Sequence, residues 1–276
     1  MPGRLIRALG ATLRSPVLAR LGLQLGAQIG SAACGFAMTL IMVRSLGVSG
    51  FGAAALGISI VTYALVITNF GADLYATQNT AKDHGALQRD LAAVTTIRAI
   101  MIVPTLLAIG IALGFAGWDG ETQLAVALFS VSLIVNIAYP LWAVQALERN
   151  DAVSLCLLGG QLLNLVLTLV AAGLDAGIIG FAMARIATDV VLALALSLWV
   201  GRRFKVATIR FSIAEALPVL RLAAPLGVSQ VLRSLALGSD LLILSFFVSF
   251  FRRLDGQRFR GARHLQAACP DLDQQA

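Results

Sequence analysis

LGLQLGAQIGSAACGFAMTLIMV (residues 21–43), a lone Arg44, then SLGVSGFGAAALGISIVTYALVITNFGA (45–72) decide the fold. Both runs are free of Asp, Glu, Lys and Arg, and both exceed the roughly 20 apolar residues that cross a bilayer core. Three further runs, 99–118, 122–147 and 152–174, are equally uncharged. Two more are long enough but carry charge: 176–201 holds Arg185 and Asp189, and 222–251 holds Arg233 and Asp240. The pattern predicts an all-α integral membrane protein with about seven transmembrane helices. The first run is too long for the core of a signal peptide and reads as a retained helix.

Composition agrees. Of 276 residues 58% are hydrophobic and 13% charged, about half the charged share of an ordinary soluble domain, roughly 25%. The apolar content is Leu, Ala, Ile and Val with 26 Gly and only 7% aromatics, which suits packed helices and speaks against an alternating barrel. The net charge of +7 sits in short gaps between apolar runs, so it reports topology and predicts no nucleic-acid partner. Cys34, Cys156 and Cys269 show no paired or metal-ligand spacing. No cofactor is expected.

Lys and Arg in short connections favour the cytoplasm. Arg4, Arg7, Arg14 and Arg20 precede the first run, Lys82, Arg89 and Arg98 follow the second, Arg149 follows the fourth, and Arg202, Arg203, Lys205, Arg210 and Arg221 follow the sixth. The alternate gaps hold only Arg44. The N-terminus is therefore expected in the cytoplasm, with the loops near Leu46, Trp118 and Asp175 outside. Segment 1–20 reads as a cytoplasmic interfacial arm or as disordered chain. Segment 202–221 is a cytoplasmic basic connection, in which Ser212 and Glu215 form a capping box for a second interfacial helix. The tail 252–276 is polar and basic, which contradicts the outward position that seven spans give it.

Ionisable groups inside a membrane span are costly and face a bundle interior or a wet cavity. Arg185 and Asp189 lie four apart on one helix face and can pair; they either neutralise each other or line a cavity. Arg233 and Asp240 share a face with Gln230, and Asp240 either exchanges an ion or answers Arg233. Uncharged polar residues repeat the pattern: Asn136, Tyr139 and Pro140; Gln161, Asn164 and Thr168; Gln24, Gln28 and Ser31. Singly such residues are interhelical hydrogen-bond donors and acceptors; as a set they predict a hydrophilic cavity. Gly22, Gly26 and Gly30 form a packing ridge, and Pro104, Pro140 and Pro225 mark bends. No phosphate-binding loop, zinc helix or nucleophile elbow occurs. His84 falls in a cytoplasmic gap and His264 in the tail. With outward gaps of only a few residues, transport is favoured over enzymatic transfer.

Val43 to Gly52, with Asn69-Phe70-Gly71-Ala72-Asp73, resembles the polysaccharide and oligosaccharide flippases, which have an R-x-L-G-x-x-x-F-G turn between their first two helices and an F-G pair closing the second. Gln145-Ala146-Leu147-Glu148-Arg149 is similar to the family's Q-G-x-E-R turn, and Ala224 to Gln230 with Ser239-Asp240 resembles its seventh helix. The resemblance covers about residues 15–250. It implies membership of the superfamily that includes the multidrug and toxin extrusion transporters: two six-helix lobes around a cavity, working by alternating access. On that pattern 21–201 is the six-helix N-terminal lobe and 222–251 the first helix of a second lobe. The implied cargo is undecaprenyl-diphosphate-linked oligosaccharide, flipped across a bacterial inner membrane for surface (O-antigen type) polysaccharide. Implied partners are that substrate, membrane lipids and polysaccharide assembly proteins. Arg185, Arg233 and Arg44 become candidates to meet the anionic diphosphate, and Asp189 and Asp240 to couple an ion. Family members have twelve or more spans, so a frameshift or early stop after about residue 250 is expected, with the seventh helix left without its surrounding partners. A drug or cation exporter of the same superfamily and a non-transporting membrane fragment are the competing readings.

Overall fold

A computed structural model describes residues 16–147 and 150–238. Among these the regular structure is helical, with no strand: α1 (Pro16–Asn69), α2 (Ala72–Lys82), a 3-10 turn (His84–Ala86), α3 (Leu87–Phe115), α4 (Gly120–Ser130), α5 (Ser132–Asn136), α6 (Leu141–Ala146), α7 (Asn150–Gly173), α8 (Gly177–Phe204) and α9 (Ile213–Gly238). Unbroken, the 54 residues of α1 would reach about 81 Å, against a bilayer core of about 30 Å. Gly47 breaks it with φ 70 and ψ −178, a conformation essentially reserved for glycine. The arms 16–46 and 48–69 are each long enough to span. With α3, the α4–α6 series, α7, α8 and α9 they make about seven spans, as the apolar runs predict.

Three local features depart from that pattern. Helix α3 starts at Leu87, well before the charge-free run that opens at Ala99, and its first turns bury Asp90 and Arg98. The fourth span is not one helix: α5 ends at Asn136 and α6 begins at Leu141, after Pro140. Segment 213–221 is not a separate interfacial helix, since α9 runs from Ile213 through Pro218 and Pro225 without interruption. Its start is tied to α3 by the Ser212 N–H, which donates to Thr96 Oγ1 at 2.8 Å. Of the arm 1–20, residues 16–20 belong to α1, and 1–15, with Glu148, Arg149, Asp240 and the tail, lie outside the described residues.

Through its described residues the seventh helix, α9, packs on α2 and α3. At this crossing two backbones touch. A Cβ on Gly71, which has φ +74, would stand 2.5 Å from Gly227 N, and one on Gly227 would stand 2.5 Å from Phe70 O. Only glycine at both positions allows the approach.

Apolar packing divides into two cores. One gathers Met42, Ala54, Val61, Ile102, Ile109, Val126, Phe129, Leu133, Ile178 and Phe181. The other gathers Ala76, Leu91, Val94, Ile97, Trp142, Val144, Val153, Leu196, Val200 and Val219. Helices α3 and α8 and the broken fourth span each pass from one core to the other, so the residues between the two sets lie at mid-height in the bundle.

Candidate functional site in the middle of the bundle

Those crossing points are polar. On α3, Arg98 lies between Ile97 and Ile102; on the fourth span, Asn136 and Tyr139 lie between Leu133 and Trp142; on α8, Arg185 and Asp189 lie between Phe181 and Leu196. Asn136, Tyr139, Arg185 and Asp189 meet, with Ser132 and Leu65, around a cavity of about 160 Å³. Arg185 Nε donates to Asp189 Oδ2 at 3.1 Å, and both side chains remain partly exposed. The i,i+4 spacing thus pairs the two charges and also points them into shared space. Asn136 Oδ1 is buried with no hydrogen-bond partner among the described residues. A pocket of this size has room for a few water molecules, at about 30 Å³ each, or for a small hydrated cation.

The fourth span breaks here for a chemical reason. Pro140 has no N–H to offer the Asn136 carbonyl four residues earlier. That carbonyl accepts instead from Tyr139 N–H at 3.2 Å and from Arg98 Nη1 at 2.7 Å. Ala143 N–H donates to Pro140 O rather than to Tyr139 O, and Arg98 Nη1 reaches Tyr139 O at 2.9 Å. Ser197 Oγ donates to Ala138 O at 2.9 Å. Arg98 is only 3% exposed, and its Nη2 donates to both Asp73 oxygens at 2.7 and 2.8 Å. One guanidinium therefore joins α2, α3 and the broken span.

A second cavity, of about 440 Å³, lies between the 48–69 arm and α9 and is lined by Ser59, Thr62, Tyr63, Gln230 and Arg233. Arg233 makes no ion pair among the described residues. Tyr63 also borders a groove of about 370 Å³ between that arm, α3 and α4. The groove walls include Ile60, Ile67, Ala108, Ile109, Ala112 and Trp118. Pro104, within α3, lies on its rim. The two faces of one helix thus present a polar cavity with a cation and a nearly wholly apolar groove.

The candidates read from sequence therefore separate. Asn136, Tyr139, Arg185 and Asp189 share one cavity, and Gln230 and Arg233 share the other. Gln161 and Asn164 border neither, and Asn164 is buried on α7. Arg44 is exposed near the Gly47 break, away from both. Of the glycine ridge, only Gly30 is closely packed, against Leu158, while Gly22 and Gly26 face open space. Asp73, Arg98 and Tyr63 are the additions. The signal for the first two was their placement: opposite charges immediately flanking the second and third apolar runs.

A family described as polysaccharide biosynthesis protein matches residues 17–250. No curated protein sequence matches the chain. Among solved structures, a MOP superfamily transporter from Pyrococcus furiosus, reported for the reverse polarity of its binding pocket, is similar with TM-score 0.59 and 16% identity. The match covers 82% of this chain and 53% of that one. A crystal structure of a mutant MATE protein is similar with TM-score 0.58 and 16% identity, covering 84% of this chain and 56% of its own. The fold is that of these transporters, and the chain spans about half their length.

Proposed function

We propose, since the chain belongs to the polysaccharide biosynthesis protein family, that this membrane transporter lobe flips a lipid-linked oligosaccharide with an anionic head group. The observation that carries the reading is the pairing at Tyr63 of a polar cavity holding Arg233 with an apolar groove. An amphiphile whose diphosphate meets Arg233 and whose hydrocarbon chain leaves through the groove fits both surfaces. Drug or cation export fits less well, because Arg233, which has no ion-pair partner among the described residues, repels a cationic cargo. The undecaprenyl diphosphate carrier, the inner-membrane location, a cytoplasmic N-terminus and polysaccharide assembly partners belong to this proposal.

In the proposed cycle Arg185 and Asp189 lie within the moving lobe. Asp189 exchanges its Arg185 partner for a coupling cation or proton as access alternates, and the pair re-forms when the ion leaves. Transport needs a second lobe facing this one, because this chain covers only 53% and 56% of the structures of similar fold.

Restoring surface glycan in a flippase-null strain tests the reading. The chain supplied with a second lobe should restore surface polysaccharide, and Arg233→Gln should abolish the restoration at unchanged protein level. Resistance to small organic cations with no surface glycan would overturn the proposal in favour of drug export; neither phenotype would favour a fragment that transports nothing.

A further inference from the structure

The Arg98 guanidinium sits outside the cavity, yet it donates to two backbone carbonyls of the residues that line it. Asn136 and Tyr139 contribute side chains to the Arg185–Asp189 cavity, while their carbonyls face Arg98 at 2.7 and 2.9 Å. Those carbonyls are available because Pro140 interrupts the helical ladder. In an apolar environment each would otherwise be left without a full set of donors, at a cost that straightens or shifts the segment. Arg98 is itself fixed by two short bonds to Asp73, and Asp73 stands in the first turn of α2, directly after the Gly71 corner.

We infer that Arg98 is a positioning residue for the transport cavity: anchored by Asp73, it holds the Pro140 break of the fourth span in the bend that brings Asn136 and Tyr139 to Arg185 and Asp189. The inference rests on the proposal that this cavity serves transport, and it adds a residue that contacts no cargo. Lysine is a poor substitute, because a single ammonium lacks the planar fork that serves a carboxylate on one nitrogen and two carbonyls on the other.

The bend can be read directly. In a full-length chain with Cys34, Cys156 and Cys269 replaced by serine, spin labels at Leu124→Cys and Gln145→Cys bracket the break. Both positions are exposed. A straight helix would separate the two backbone positions by about 32 Å, at 1.5 Å per residue. The parent protein should give a single narrow distance distribution below that value. Arg98→Met should broaden it and move it towards the straight-helix value, with Arg98→Lys intermediate. Pro140→Ala, which returns an N–H to Asn136 O, should lengthen the distance by itself, and adding Arg98→Met to it should change nothing more.

That non-additivity separates positioning from general support of the fold, which would add its damage to that of Pro140→Ala. An unchanged distribution in Arg98→Met, or full additivity with Pro140→Ala, would overturn the inference. If Arg98→Met fails to fold, Arg98→Lys with and without Pro140→Ala supplies the same comparison. The distances do not depend on transport. A shifted bend in a chain that, supplied with a second lobe, restores no surface glycan would leave this inference standing and remove the flippase reading; an unmoved bend in a chain that, so supplied, does restore glycan would do the reverse.

Discussion

Gly227→Ala is expected to destabilise the protein although alanine is the better helix former. The added Cβ would lie 2.5 Å from Phe70 O and 2.7 Å from Phe70 C, and ordinary contact begins near 3.4 Å, so the crossing must open by about 0.9 Å. The obstacle is backbone, which no rotamer change can move. Overpacking of this kind costs about 1–3 kcal/mol, and with backbone on both sides we take the upper end, about 3 kcal/mol. Alanine for glycine inside a helix returns about 0.5–1 kcal/mol, leaving a net loss of about 2 kcal/mol. At about 2–4 °C per kcal/mol for a chain of this size, the midpoint should fall by about 4–8 °C. Gly26→Ala is the control, since its Cβ meets nothing within 4 Å; it should be neutral or stabilising by up to about 1 kcal/mol. Thermal unfolding in detergent, followed by the loss of the monodisperse peak, compares them. Equal midpoints for the two variants would refute the reasoning and place α9 away from the Gly71 corner.

Arg185→Gln should change stability by no more than about 1 kcal/mol, because the Arg185–Asp189 pair is partly exposed and such pairs contribute little, yet it should abolish glycan restoration; a large thermal loss would contradict this. Asp90→Asn should cost about 1–3 kcal/mol, since buried Asp90 accepts from Asn79 Nδ2 at 2.9 and 3.1 Å and from Thr80 Oγ1 at 2.8 Å, and an amide puts one donor against another. Ala108→Trp, at an exposed wall of the apolar groove, should reduce flipping of a long-chain lipid-linked sugar more than that of a short-chain analogue, read by surface glycan and by vesicle assay. In a cysteine-free background, Val48→Cys should react with an impermeant maleimide on intact cells and Lys82→Cys only after permeabilisation; the opposite pattern would invert the proposed orientation.

The spans were legible in the sequence because each needs only a long apolar run, and that requirement is local. The residues of the two cavities were half legible. Asn136, Tyr139, Arg185 and Asp189 stand out as polar groups where lipid forbids them, and their convergence follows from helices crossing at similar heights. Arg98 was hidden by the same criterion. Positioned just before a charge-free run, it reads in sequence as one more topology-setting loop charge, whereas it is buried against Asp73, 25 residues away. Lys82, Arg89, Arg202, Arg203, Lys205, Arg210 and Arg221 are exposed, so the charge bias between alternate gaps persists without Arg98. Gln161 and Asn164 form the same kind of stripe as the cavity residues, but periodicity alone does not say whether a polar face meets a cavity or a neighbouring helix. The Gly71–Gly227 contact joins positions far apart in the chain, and glycine spacing within either segment carries no trace of it.

The Arg98 junction also imposes an order on biosynthesis. Asp73 is made before Arg98, so the arginine enters the membrane with its carboxylate ready, but the Tyr139 carbonyl follows 41 residues later. At about 5–20 residues per second the delay is about 2–8 s. During that interval two charges share one partner each and the third span lacks its neighbour. Nascent chains arrested before residue 136 clears the insertion machinery are expected to be cut readily by a membrane protease near Arg98, and chains arrested beyond residue 146 to resist it. Equal resistance at both lengths would show that the ion pair alone shelters the arginine.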